Sequence, residues 1–306
     1  MKADLYQRVT AEIIAAIEAG AADYRMPWNT LSRSAAPVNA GSSRPYRGIN
    51  TLLLWCEAGR RGYSSNRWAT YRQWNELGAQ VRKSEKSTTV LLWKPIADSG
   101  DRADAGDQPA RQRLLARAFR VFNTDQVDGE DPQPAAHRPT TERITSAEAF
   151  FAAQPAAIWH GSDGAFYDRR ADMVSMPSFD AFVSAEAYYS VLAHELTHWT
   201  GAKSRLDRDL SGRFGSDAYA IEELVAELGA AFTIGYLGLA CEPRIDHAPY
   251  IASWLRVLRD DPRAILTAAS KAQAAADYLI ELAEAKPPGG ETARPSAQSE
   301  LEVAAA

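Results

Sequence analysis

His194-Glu195-Leu196-Thr197-His198 places two histidines four residues apart with an acid between them. On a helix, positions i and i+4 share a face, so both imidazoles can reach one metal ion. The pattern is HExxH, in which the glutamate lies beside the open metal position where a water sits. A zinc ion with three protein ligands makes such a water acidic enough to attack a peptide carbonyl near neutral pH. Glu195 is the candidate base that takes its proton. The flanks favour a helix. Ser184 is a candidate N-cap with Glu186 in the first turn, Ala185–Thr200 lacks Gly and Pro, and Gly201 stands where a helix would stop. Tyr188, Val191, Leu192, Ala193 and Leu196 supply an apolar side. The chain has five histidines, so two of them in this register weigh against chance.

A third ligand is expected downstream, in the apolar stretch Tyr219–Phe232 that carries acids at Glu222, Glu223 and Glu227. Glu223 and Glu227 lie one turn apart on one face. In a His-His-Glu site one carboxylate binds the metal, and a second commonly accepts the far N–H of a ligand histidine. Glu223 is assigned to the metal and Glu227 behind a histidine, because the spacing resembles the Glu-xxx-Asp pattern of gluzincin peptidases. The reverse assignment remains open. Zinc is the default metal, and such a donor set also accepts manganese, cobalt or nickel. Upstream, Asp172–Pro177 reads as a short strand. Zinc peptidases place an edge strand beside the active helix, where an extended substrate can add; the stretch alone equally fits a core strand.

Charge divides the chain. Residues 1–95 carry 14 Lys and Arg against 7 Asp and Glu, and residues 96–306 carry 20 against 32, out of 34 and 39 in all. The formal net charge of −5 hides a basic first part and an acidic remainder. Five of the eight tryptophans, Trp28, Trp55, Trp68, Trp74 and Trp93, lie in the basic part. Single-stranded nucleic acid is held by aromatic faces that stack bases and by cations that track phosphates. Arg44, Tyr46, Arg47, Arg67, Trp68, Tyr71, Arg72, Trp74, Arg82, Lys83 and Lys86 are therefore the candidate DNA-binding residues, with binding that weakens steeply in salt.

At 306 residues, 46% hydrophobic and 24% charged, the composition is that of a globular protein with room for two domains. Cys56 and Cys241 form no metal-type or disulfide framework, which points to a reducing, cytoplasmic setting. Tyr6–Ala19 reads as an amphipathic helix with Glu12 and Glu18 inside it, not as a secretory leader. No apolar run reaches membrane-span length, so no membrane partner is expected. Helices are expected over 4–19, 48–58 and 70–78, and paired strands over 88–94 and 115–122. The domains read as 1–130, with a flexible loop about 98–112; a linker at 131–140, the end of the Asp-, Gly- and Pro-bearing stretch 124–140; 141–285; and a disordered tail 286–306.

Longer strings carry a resemblance. They include Tyr46-Arg47-Gly48-Ile49-Asn50, Trp68-Ala69-Thr70-Tyr71-Arg72-Gln73, Leu77–Lys83, Phe122-Asn123-Thr124-Asp125-Gln126, His194–Gly201, Arg205-Leu206 and Glu222–Phe232. On these the chain resembles the ArdC family of plasmid antirestriction proteins, and its N-terminal part is also similar to TraC-type plasmid primases. Ser84 departs from the glycine many family members carry there. The resemblance implies an α+β protein: an N-terminal α+β domain that binds single-stranded DNA, joined to a C-terminal zincin-like, gluzincin-type metallopeptidase domain. It implies protection of plasmid DNA entering a recipient cell during conjugation, with a protein substrate on or near DNA. A purely DNA-coating protein whose metal is structural is the alternative, as is a DNA-associated metalloprotease with another role.

Overall fold

The computed structural model describes residues 2–21, 26, 28, 36–95, 114–130, 140–213, 215–239 and 248–285. The expected loop about 98–112, the linker apart from Thr140, and the tail lie outside these residues.

The N-terminal half begins with helix α1 (Lys2–Gly20), strand β1 (Val38–Asn39) and helix α2 (Ile49–Arg61). Strand β2 (Arg67–Thr70) runs straight into helix α3 (Tyr71–Glu76), which Thr70 and Gln73 start with reciprocal capping bonds. Then follow β3 (Gln80–Val81), β4 (Thr88–Pro95), β5 (Leu114–Asn123) and β6 (Val127–Asp128). The main sheet has the order β1-β2-β5-β4, and β4 and β5 pair antiparallel from Thr88↔Val121 to Pro95↔Leu114. That pairing matches the expected partners. Asn50 ties α2 to β4: its amide donates to the Leu91 carbonyl at 2.7 Å and accepts from the Leu91 N–H at 2.7 Å. Residues 124–128, the start of the Asp-, Gly- and Pro-bearing stretch that shows no periodicity, form a 3-10 turn capped by Asn123 and then β6, which pairs with β3. Side-chain capping by Asn123 and Gln126, rather than apolar periodicity, shapes this stretch.

The C-terminal half has helix α4 (Thr140–Ala152), a small sheet of β7 (Ala157–His160), β8 (Phe166–Asp168) and β9 (Met173–Met176), and helices α5 (Ala185–Thr200), α6 (Asp217–Leu237), α7 (Ala248–Asp260) and α8 (Ala264–Ala285). The sheet order is β7-β9-β8. The strand read from Asp172–Pro177 is therefore central, with Val174 and Met176 at 0% exposure, and β8 is an edge. Burial on both faces explains the absence of polar alternation in β9.

The two halves share one hydrophobic core. Trp55 of α2 meets Phe232 of α6 with ring centres 5.9 Å apart, and Trp28 meets Trp254 of α7 at 6.2 Å. Ile13, Ile17, Leu52 and Leu53 belong to the same buried cluster as Leu192, Leu224 and Ile265. The Thr10 hydroxyl donates to the Pro262 carbonyl at 2.6 Å. The two expected parts thus pack on one another through this core, in which the apolar faces of α1 and α2 are buried by α6–α8. Among the described residues, no helix is long and apolar enough to cross a membrane.

Candidate metal centre

Helix α5 forms as its sequence predicts. The Ser184 hydroxyl accepts the Ala187 N–H at 3.0 Å, and Leu192, Ala193 and Leu196 are buried. Gly201 does end it, but with φ −75°, so left-handed backbone is not the reason for glycine. A Cβ there would lie 2.8 Å from the Arg208 guanidinium and 3.0 Å from the His198 carbonyl. Helix α6 is capped by Ser216 and comes close to α5 at Gly229, where a Cβ would stand 2.5 Å from Thr197 Cγ2. This close approach carries Glu222, Glu223 and Glu227 to the histidines.

The two Nε2 atoms of His194 and His198 stand 3.2 Å apart. Glu223 offers Oε2 to His194 Nε2 at 3.5 Å and Oε1 to His198 Nε2 at 3.6 Å. Behind them, His194 Nδ1 faces Glu227 Oε1 at 2.7 Å, and His198 Nδ1 faces Glu222 Oε1 at 3.2 Å. A proton on each Nδ1, on the side of its carboxylate, would turn both Nε2 lone pairs toward one point. Two lone pairs and a carboxylate converging repel one another unless a cation stands among them. Ligand atoms held tetrahedrally at about 2.0–2.1 Å from zinc are roughly 3.4 Å apart, close to the separations seen here. His194, His198 and Glu223 thus fit a divalent metal, and these three are the residues whose ligand atoms cluster tightly enough to hold one among those described.

Electrostatics agree. Burial acts to raise the Glu223 carboxyl, but a hydrogen bond from a protonated His194 and the positive charge of the imidazoles outweigh it and bring it down to about 2; a cation between the Nε2 atoms, taking the place of those protons, would hold it ionised in the same way. For Glu222, burial is likewise outweighed, by hydrogen bonds from His198 and Arg208, and its pKa is lowered. The Tyr219 phenol is pushed up by burial, then by its bonds to Tyr250 and Glu223, so it remains a donor at neutral pH. Its hydroxyl lies 3.3 Å from that of Tyr250.

Glu222 and Arg208 form a clamp that the sequence does not announce. Arg208 Nε and Nη2 donate to Glu222 at 3.1 and 2.8 Å, Nη1 donates to the Thr200 hydroxyl at 2.8 Å, and Nη2 also to the Thr197 carbonyl at 2.6 Å. Glu222 thus lies between Arg208 and His198 Nδ1, while Glu227 lies behind His194 Nδ1. An arginine in a polar loop carries no local sign that it will be buried. Arg205 acts elsewhere. It stacks over Trp199 at 4.0 Å, donates to its carbonyl at 2.6 Å and pairs with Asp172, fixing the loop after α5 to the sheet.

The triad opens onto a cleft of about 340 Å³ that Glu195, Tyr219 and Tyr250 also line, with Phe166 and Tyr167 of the edge strand β8 on one wall. Glu195 is 4% exposed. The arrangement sets a candidate metal site, the Glu195 carboxylate, a phenol donor and a strand edge around one space.

The candidate DNA-binding residues do not form one surface. Trp68 and Trp74 are 1% and 0% exposed, so the expectation that they stack on bases is corrected: both are core. Trp74 Nε1 donates to the Phe122 carbonyl at 3.0 Å, which anchors α3 to β5. Tyr46 is half-buried and its hydroxyl accepts from Asn39 at 3.1 Å. Arg67 pairs with Glu130, Arg72 with Glu76 at 2.8 Å and Arg47 with Asp277. Arg82 donates to the carbonyls of Val127, at 3.1 Å, and Asp125. Arg44, Tyr71, Lys83 and Lys86 are exposed.

Comparison with known proteins bears on this arrangement. Residues 3–122 match the N-terminal domain of the anti-restriction factor ArdC, and residues 145–271 match a zincin-like metallopeptidase. An uncharacterized protein of Sinorhizobium fredii, y4eC, is 53% identical over 281 residues, covering 90% of this chain and 91% of that one. The DNA primase TraC of Escherichia coli is 36% identical over 293 residues, which are 91% of this chain but 20% of the primase, so the chain spans about a fifth of that relative. The metal-free crystal structure of ArdC from the R388 plasmid is 42% identical and superposes with a TM-score of 0.76, covering 92% of this chain and 98% of that one. Its Mn(II)-bound form gives 0.73, again at 42% identity, covering 91% and 98%. With both halves matched and the likeness running nearly end to end, this chain belongs to the ArdC antirestriction family.

Proposed function

We propose that this protein engages single-stranded plasmid DNA as it enters a recipient cell and protects it from restriction, using a metal-dependent peptidase site. The observation that carries the reading is the convergence of His194, His198 and Glu223 on one point, with Glu195 on the same cleft, in a chain of the ArdC family. A divalent metal there would act as a Lewis acid, lowering the pKa of water and polarising a peptide carbonyl. Glu195 takes the proton of the attacking water and returns it to the leaving amine. Glu227 and Glu222 hold the imidazoles in the Nδ1–H form, and Arg208 holds Glu222. The Tyr219 hydroxyl donates to the oxygen that gains charge on the scissile carbonyl. An extended peptide would lie along β8, whose outer edge is unpaired by any other strand described. The substrate is a protein on or near the incoming strand.

The test is Glu195→Gln, which keeps the ligands and removes the base. Conjugative transfer into a restricting recipient is counted with and without the variant. Loss of protection supports the peptidase; protection at the wild-type level sinks it and leaves a DNA-coating protein with a structural metal.

A further inference from the structure

A cleft of about 1000 Å³ lies at the seam between the halves and shares no lining residue with the metal centre. One wall comes from the N-terminal half: Tyr6 of α1, Arg47 before α2, and Trp93 of β4. The other is an exposed face of α8 that carries Arg263, just before the helix, Ser270 and Lys271. Arg263 and Lys271 are eight residues apart, which is about 12 Å along a helix. The seam is fixed across its width. Arg47 pairs with Asp277, and the Gly48 N–H donates to Gln273 Oε1 at 2.8 Å. The Arg263 guanidinium sits over the Tyr6 ring at 5.6 Å.

Of the five tryptophans in the basic part, Trp28, Trp55, Trp68 and Trp74 are buried at 2% exposure or less, while Trp93 is half-buried and lines this cleft. Cations spaced along one wall and aromatic rings on the other are the two elements that hold single-stranded nucleic acid. An acidic peptide would use the cations but make no use of the Trp93 ring. Cavities of roughly 300–1,000 Å³ hold organic ligands, and this one is at the upper end and open along the seam.

We propose that single-stranded DNA lies in this seam, with phosphates against Arg263 and Lys271 and a base against Trp93, so that the metallopeptidase half completes the DNA site. This rests on the single-strand-binding reading above and adds to it that the N-terminal half does not hold the strand alone. It also gives the shared core a purpose: the two walls can form one groove only if the halves are rigidly joined.

The experiment uses the full chain and a labelled 20-nucleotide single strand of mixed sequence, titrated over a salt series. Arg263→Ala/Lys271→Ala changes two exposed side chains, and its fold is checked by circular dichroism. It should weaken binding at least tenfold and flatten the slope of log K against log salt by about 1.4, since each phosphate contact on a single strand contributes about 0.7. Trp93→Ala, at a half-buried site and with the same fold check, should weaken binding about fivefold or more, the lower end of what base stacking contributes. If the wild type binds and the double variant binds equally well with the same salt slope, the seam is wrong while the DNA-binding reading stands. If the wild type does not bind the strand, both fall. Displacement of the strand by deca-glutamate more readily than by unlabelled oligonucleotide would make this a peptide site and overturn the proposal.

Discussion

Replacing Arg208 by Met probes the clamp behind the metal centre. Methionine fills a similar volume without charge. The Arg208 side chain is 4% exposed and that of Glu222 11%, so solvent cannot replace what is lost. The change removes two hydrogen bonds to Glu222, one to the Thr200 hydroxyl and one to the Thr197 carbonyl. Removing one partner of a buried ion pair costs about 3–5 kcal/mol, because the other charge stays buried without compensation. At about 2 °C per kcal/mol for a chain of this size, the melting temperature should fall by about 6–10 °C. Calorimetry of the metal-free protein reads this directly. The pH dependence gives a second reading. The folded Glu222 carboxyl lies below its ordinary value of 4.5, so it stabilises the fold above that pH and the contribution is lost as pH falls through the folded value. Without Arg208 its folded pKa rises toward the ordinary value, and this part of the acid sensitivity shrinks. Arg208→Met/Glu222→Met should melt above the single variant, since removing both charges leaves neither unpaired. A single variant that melts within about 1 °C of wild type would refute the clamp.

Two further outcomes follow from packing. Gly229→Ala puts a Cβ 2.5 Å from Thr197 Cγ2, so helices α5 and α6 must separate; a loss of about 1–3 kcal/mol is expected by denaturant titration, with weakened metal binding as Glu223 withdraws. Trp68→Ala should cost about 3–5 kcal/mol of stability, read by the same titration, and leave DNA affinity of the folded fraction unchanged, because the ring is core.

Local signals are legible in the sequence and distant ones are not. The helix of the HExxH motif is readable because Ser184, Glu186 and the apolar spacing act within a few residues, and the acids at 223 and 227 because one turn separates them. The β4–β5 pair is readable from two apolar runs. The burial of Trp68 and Trp74 is not, because an aromatic beside arginines looks the same whether it faces a strand of DNA or the underside of a sheet. The centrality of Met173–Met176 depends on β7 and β8, each too short to signal itself. Glu222 stands out only as an acid on an apolar helix, and its role is set by Arg208, fourteen residues earlier, through a loop without periodicity. The fusion of the halves hangs on contacts such as Trp55 with Phe232, which are far apart in the chain. Charge asymmetry marks the basic half but cannot show that Arg67, Arg72 and Arg82 are engaged by acids and carbonyls.

The most direct test of the metal centre is equilibrium Mn(II) binding, read by the electron paramagnetic resonance of the free ion, for wild type, Glu223→Gln and Glu227→Gln. The arrangement predicts one ion per wild-type chain, near-complete loss with Glu223→Gln, and binding about 10- to 100-fold weaker but still saturable with Glu227→Gln, which touches His194 from behind. Wild-type affinity in Glu223→Gln, with loss in Glu227→Gln, would contradict it and exchange the roles of the two carboxylates.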